Sequence, residues 1–183
     1  RRFLPHNKIE MEQELLYIAY AFYRFDEPES AITTADRFII LHPRHPRVDY
    51  AYYIKGLTNF SPSIGPLDDL FNQDIAERDT APLQKSFKDF SELIRRFPNS
   101  PYVEDARKRM IFLRNSLARN ELQVARFYFK REAFIASANR AEFIVKYYQG
   151  SPAIQDALML MIDSYTKLGL NEAKTDAERV LKL

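Results

Sequence analysis

Residues 36–59 read DRFIILHPRHPRVDYAYYIKGLTN, and this stretch decides the fold. An apolar helical segment runs to Leu41, Pro43 and Pro46 interrupt it, and a second helical segment follows at once. Proline fixes φ and lacks an N–H donor, so it stops one helix yet suits the opening of the next. The same punctuation returns at Pro98 and Pro101, and again at Gly150 and Pro152. A helical pair re-started by the same turn along a chain is the signature of stacked hairpin repeats.

Upstream, residues 8–24 (KIEMEQELLYIAYAFYR) place Ile9, Met11, Leu15, Leu16, Ile18, Ala19 and Phe22 at a helical period. Pro28 ends that run and opens a second, with Ala31, Ile32, Ala35, Phe38 and Ile39 on one side. Set against the tetratricopeptide pattern of about 34 residues, Leu15, Ile18, Ala19, Phe22, Ala31, Ala35, Phe38 and Pro43 fill its large, apolar, small, aromatic and proline positions. The small residues fall where two helices must cross closely. Downstream of Pro46, Tyr50, Tyr53, Leu57 and Phe60 form a stripe, and Gly56 points to a close helix approach. Residues 61–82 (SPSIGPLDDLFNQDIAERDTAP) are too long for a repeat turn and read as an insertion loop. A return helix over 81–97 puts Ser86, Phe90 and Leu93 at crossing positions.

The third hairpin opens at Ser100 as N-cap and Pro101 as first helical residue. Its first helix is long, with Val103, Ala106, Met110, Leu113, Leu117, Val124 and Tyr128 in register to about residue 129. Its partner, 133–148, crosses it through Ser137, Ala141 and Ile144. Gly150 caps that helix, and a fourth unit follows with Ala157, Leu160, Met161, Ala173, Ala177 and Val180, turning at Gly169. The expected fold is all-α: a tetratricopeptide-type superhelical solenoid of about four hairpins in a single domain, 1–183. The hairpins span about 8–43, 46–98 (with the insertion), 100–148 and 151–183. The opening RRFLPHN reads as a cut into an existing fold, so an N-terminal truncation is expected.

Composition agrees and excludes several functions. Gly is scarce at 4, hydrophobic residues make up 46%, and there are 11 Tyr, 14 Phe and no Trp or Cys. Disulfides, thiolate metal sites and cysteine nucleophiles are therefore excluded. A net charge of +2, with 27 basic against 25 acidic residues, gives no electrostatic case for nucleic acid. No apolar run approaches the roughly 18 residues of a membrane helix. His42 and His45, flanking a turn with Asp49 nearby, make a poor metal site and read as turn residues. No phosphate-cradling glycine loop and no nucleophile motif is present. An acid-catalysed helical hydrolase would need a carboxylate framed by apolar sequence, and none is. No cofactor is expected.

What remains is surface. Stacked hairpins offer a face for extended peptides or partner domains. Tyr17, Tyr20, Tyr23, Tyr50 and Tyr53 are candidates for a peptide groove. Asn139, Arg140 and Glu142 form a polar cluster on an otherwise apolar helix. Arg140 there either bonds a partner carboxylate bidentately or pairs with a glutamate of its own chain, and the sequence leaves both open.

The wording of the chain is more specific than its pattern. Asp36-Arg37-Phe38-Ile39, His45-Pro46, Asp49-Tyr50, Tyr53 and Gly56-Leu57-Thr58-Asn59 are followed by Arg78-Asp79, Phe87, Asp89-Phe90 and Pro98-Asn99-Ser100. Tyr102, Asp105-Ala106, Arg109, Val124-Ala125, Tyr128 and Asn139-Arg140 complete the set. In these residues the chain resembles the ComL/YfiO family, the tetratricopeptide lipoproteins of the outer-membrane β-barrel assembly machinery. The resemblance implies a non-enzymatic scaffold at the periplasmic face of the Gram-negative outer membrane, held there by a lipid anchor absent from this fragment. It implies three kinds of partner: a POTRA domain of BamA, unfolded outer-membrane proteins recognised through their β-signals, and accessory lipoproteins. By position, Arg140 matches the family's BamA-contacting arginine. A generic periplasmic tetratricopeptide adaptor is the alternative.

Overall fold

The computed structural model describes residues 5–60 and 80–182, with side chains from Gln13 onward. The expected insertion, apart from its last three residues, lies outside the described residues. Eight helices and no strands are found among them: α1 (Pro5–Arg24), α2 (Pro28–Leu41), α3 (Val48–Asn59), α4 (Ala81–Arg96), α5 (Val103–Lys130), α6 (Phe134–Tyr147), α7 (Ala153–Leu168) and α8 (Asn171–Leu181). The fold is all-α and of tetratricopeptide type. The described residues group into two compact units that divide within α5: unit 1 ends at Leu113 and unit 2 begins at Arg114.

The turns show why this sequence folds this way. Between α2 and α3, His45 N–H donates to His42 O and Val48 N–H to His45 O. Between α4 and α5 the same two steps run from Ser100 to Phe97 and from Val103 to Ser100; between α6 and α7 they run from Ser151 to Tyr148 and from Ile154 to Ser151. In each turn one side chain accepts from the N–H two residues on: His45 Nδ1 from Arg47 at 3.1 Å, Ser100 Oγ from Tyr102 at 3.3 Å, and Ser151 Oγ from Ala153 at 3.3 Å. The three residue-Pro pairs are therefore equivalent joints. The structure shifts one detail: Pro46 and Pro101 lie in the turn, and α3 and α5 start two residues after them, because those N–H bonds are made before helical geometry sets in.

The turns inside hairpins share a second design. After α1, α5 and α7 the chain adopts a left-handed residue, Asp26 (φ 59), Glu132 (φ 60) and Gly169 (φ 70). The next N–H then reaches back five residues: Glu27 to Phe22, Ala133 to Tyr128 and Leu170 to Tyr165. This is the Schellman closure that satisfies the orphan carbonyls of a helix end. Two of the three use a non-glycine residue.

In unit 1, α1 packs on α2 and α3, α2 on α3, and α3 on α4. Ala19, Ala31, Ala35 and Ala51 are fully buried between them, beside Phe38, Ile54, Phe90 and Leu93. Gly56 meets α4 face-on. A β-carbon at position 56 would overlap the Phe90 ring, and Ser86 Oγ donates to the Gly56 carbonyl at 2.8 Å. Lys55 bridges Asp36 of α2 at 2.8 Å and Asp89 of α4 at 3.5 Å, with the lysine and Asp89 both largely buried. His42 and His45 pack their rings against Phe38, and among the described residues no cluster of three His, Cys, Asp or Glu could hold a metal ion. In unit 2, α7 packs on α6 and α8. Ala118, Leu122, Ala125, Ala141, Ile144, Ala157, Leu158, Met161 and Ala177 form its core. Arg114 Nη2 donates to the Gly150 carbonyl at 2.9 Å, which ties the α6–α7 turn to α5.

Candidate functional site

Unit 1 assembles its tyrosines into one strip. On α1, Tyr20 and Tyr23 are three residues apart, as are Tyr50 and Tyr53 on α3, so each pair shares a helix face. Because α1 packs on α3, the two pairs meet, with Tyr20 and Tyr50 at 6.5 Å between ring centres. Tyr102, in the turn before α5, closes the set: it stacks on Tyr53 at 4.7 Å and 17° and approaches Tyr50 at 5.2 Å. Tyr17 is exposed one turn earlier on α1, three residues before Tyr20 and so on the same side of the helix. The structure thus brings together all five sequence candidates and adds Tyr102.

Cations line the strip. Arg24 lies over Tyr20 and donates to its hydroxyl at 3.2 Å, and Arg47 lies over Tyr50 at 5.3 Å. At the far end the Tyr53 hydroxyl donates to Asp105 Oδ2 at 2.6 Å, and Arg109 Nε donates to the same oxygen at 2.5 Å. Arg109 also covers Phe60 at 4.8 Å, and Phe60 meets Phe112 edge-on at 5.6 Å. Burial, and then the bond to Asp105, push the Tyr53 phenol up to about 12. Burial also raises Tyr50, with Tyr102 and Tyr20 adding to it. At Asp105 burial works upward, but the bonds from Tyr53 and Arg109 outweigh it and hold the carboxyl below its ordinary value.

That depression has a pH signature. A carboxyl whose folded pKa lies below its unfolded one contributes stability above the unfolded value, and the contribution is lost as pH falls through the folded value. Asp105 is about half exposed, so after solvent screening its bonds are worth about 1 kcal/mol. Asp105→Asn is expected to destabilise the protein by that amount at neutral pH and by less at an acid pH below the ordinary carboxylate range, where protonation of the folded carboxyl begins to remove its bonds. Urea melts at the two pH values check this, and an equal loss at both would show that the side chain acts through packing alone.

The strip's chemistry is that of recognition. Aromatic faces accept apolar side chains, phenol rims offer hydrogen bonds at low entropic cost, and guanidinium groups favour carboxylates. Tyr102, Asp105 and Arg109 have a sequence signal, since Asp105 and Arg109 are an i, i+4 pair on the opening turns of α5. Their convergence on Tyr53 is set by packing across 52 positions of sequence.

The second candidate is in unit 2. Asn139 and Arg140 are exposed on α6. Arg140 Nη1 donates to Glu121 Oε2 of α5 at 3.1 Å, so the chain holds the intramolecular pair. Glu142 bonds Lys146, one turn along, at 2.7 Å. The three residues are therefore neighbours on one helix whose ion pairs point to different partners.

A family model described as outer membrane lipoprotein, YfiO, matches residues 5–180. Outer membrane protein assembly factor BamD of Neisseria meningitidis serogroup A is 42% identical over 170 residues, covering 93% of this chain and 64% of that protein. The protein of the same name from Vibrio cholerae is 38% identical over 172 residues, covering 94% and 71%, and that of Haemophilus influenzae is 36% identical over 173, covering 94% and 66%. The chain thus spans about two thirds of the length of the curated relatives it matches.

Proposed function

Because the chain belongs to the YfiO family of outer membrane lipoproteins, we propose that it acts as an outer-membrane protein assembly factor, a scaffold that binds and makes no bond chemistry. Unit 1 receives the C-terminal β-signal of unfolded outer-membrane proteins along the tyrosine strip. Unit 2 docks a POTRA domain of BamA around Arg140, and accessory lipoproteins are further partners. The protein works at the periplasmic face of the outer membrane, tethered by lipid. Among the described residues no helix is long and apolar enough to cross a membrane.

The observation that carries this reading is the continuity of the strip. Five tyrosines from three segments touch in series, Tyr23 to Tyr20, Tyr50, Tyr53 and Tyr102. Half-buried tyrosines with exposed rims are of the residue type enriched where proteins grip partners. Arg140 supplies the test of the second contact. Arg140→Ala is expected to weaken association with purified BamA POTRA domains about tenfold or more, through loss of a charge-assisted bond to a partner carboxylate. Unchanged association in a pull-down titration would sink the docking claim and leave the strip untouched.

A further inference from the structure

The edge of unit 2 that carries Arg140 also carries an uncovered aromatic patch. Arg140, Phe143 and Tyr147 follow an i, i+3, i+7 spacing on α6 and share one face. Phe143 and Tyr147 lie 4.6 Å apart ring to ring, and Tyr148 meets Phe143 edge-on at 5.7 Å. Tyr147 is 67% exposed and Phe143 39%. An arginine beside solvent-facing aromatics has the composition of a binding hot spot.

The arginine is already engaged. Its contact with Glu121 uses Nη1, and the arginine side chain is 48% exposed while the glutamate is 19% exposed. Burial and then the Glu121 charge raise the Tyr148 phenol, so that carboxylate sits within the same cluster. A largely buried glutamate therefore holds a half-exposed guanidinium by one nitrogen at the rim of an apolar patch. A carboxylate arriving from solvent can bond the same guanidinium by two parallel bonds, which is the stronger geometry.

We propose that Glu121 is an internal stand-in for the partner's carboxylate, and that the Arg140–Phe143–Tyr147 face takes a partner segment presenting a carboxylate beside an apolar side chain. This rests on the docking of POTRA domains around Arg140. The incoming carboxylate exchanges with Glu121 on Arg140, and the apolar side chain covers Phe143 and Tyr147. Charge complementarity chooses the occupant, because the cation is the group at the exposed rim and its own counter-charge lies beneath. A segment without a carboxylate cannot displace Glu121, so the internal pair also discriminates against wrong partners.

The experiment is a surface titration of BamA POTRA domains against the full chain and its variants, with a thermal melt of each variant as the folding control. Glu121→Gln is expected to tighten binding about two- to fivefold, the worth of a surface ion pair. Glu121→Asp, which keeps the charge but shortens the reach, should tighten it as well. In an Arg140→Ala background Glu121→Gln should give no gain. Phe143→Ala with Tyr147→Ala should weaken binding about tenfold or more. Three results overturn the proposal: Glu121→Gln that leaves binding unchanged or weaker, a Glu121→Gln gain that persists without Arg140, or aromatic truncation without effect. If Arg140→Ala itself leaves binding intact, the docking reading fails and the stand-in fails with it. If Arg140→Ala weakens binding while Glu121→Gln does nothing, the docking reading stands and only the stand-in is lost.

Discussion

Phe90→Ala is expected to destabilise unit 1 by about 3–5 kcal/mol, the range for truncating a fully buried aromatic, and to lower its melting temperature by roughly 10 °C or more. The ring is wholly excluded from solvent and lies against the bare Cα of Gly56. The pair makes a sharper test than either residue alone. In the native background Gly56→Ala forces a β-carbon into a ring that has nowhere to go, which costs about 1–3 kcal/mol before a helix-propensity gain of about 1 kcal/mol. In the Phe90→Ala background the obstacle is gone and the same substitution should be neutral or stabilising by that gain. A double-mutant cycle by urea melts reads the difference directly. Equal effects of Gly56→Ala in both backgrounds would mean that the ring is not what requires the glycine.

The second large effect concerns binding. Tyr53→Ala combined with Tyr102→Ala removes the stacked centre of the tyrosine strip. Each truncation of a central aromatic anchor costs about 2 kcal/mol or more, so affinity for a synthetic β-signal peptide should fall about a hundredfold or beyond. Tyr53→Phe separates the ring from its hydroxyl. It keeps the stack and loses the 2.6 Å bond to Asp105, and a loss of only a few fold is expected, through the freer Asp105 and Arg109 side chains. Calorimetry with the two variants beside the unaltered protein ranks the two contributions. A Tyr53→Phe variant as weak as the double alanine would assign recognition to the polar end of the strip instead.

Much of this was legible in the sequence, for identifiable reasons. Turns announce themselves through proline and glycine, so the joints at Pro46, Pro101 and Pro152 and the left-handed Gly169 are readable from residue type. Ala19, Ala31 and Ala35 mark close crossings because their size allows nothing else. Asp26 and Glu132 were harder, since a non-glycine residue enters the left-handed region only when the backbone bonds around it compel it. His45 reads from the sequence as a turn residue, but its equivalence as a cap to Ser100 and Ser151 shows only when the three turns are superposed by their hydrogen bonds. The tyrosines were visible as candidates, but Tyr102, Asp105 and Arg109 join them only through the packing of α3 against the start of α5. The Arg140–Glu121 pair, too, is decided by how α6 lies on α5, which no local spacing encodes.

Binding of an unfolded protein's C-terminal segment along the tyrosine strip is the central claim, and one spectrum tests it. Protein carrying ¹³C-labelled tyrosine rings would be titrated with a β-signal peptide and followed by NMR. The expected result is that the ring signals of Tyr20, Tyr50, Tyr53 and Tyr102 shift together at a single affinity, while Tyr147 and Tyr165 of unit 2 stay where they were. Saturable binding that leaves those four rings unmoved would contradict it.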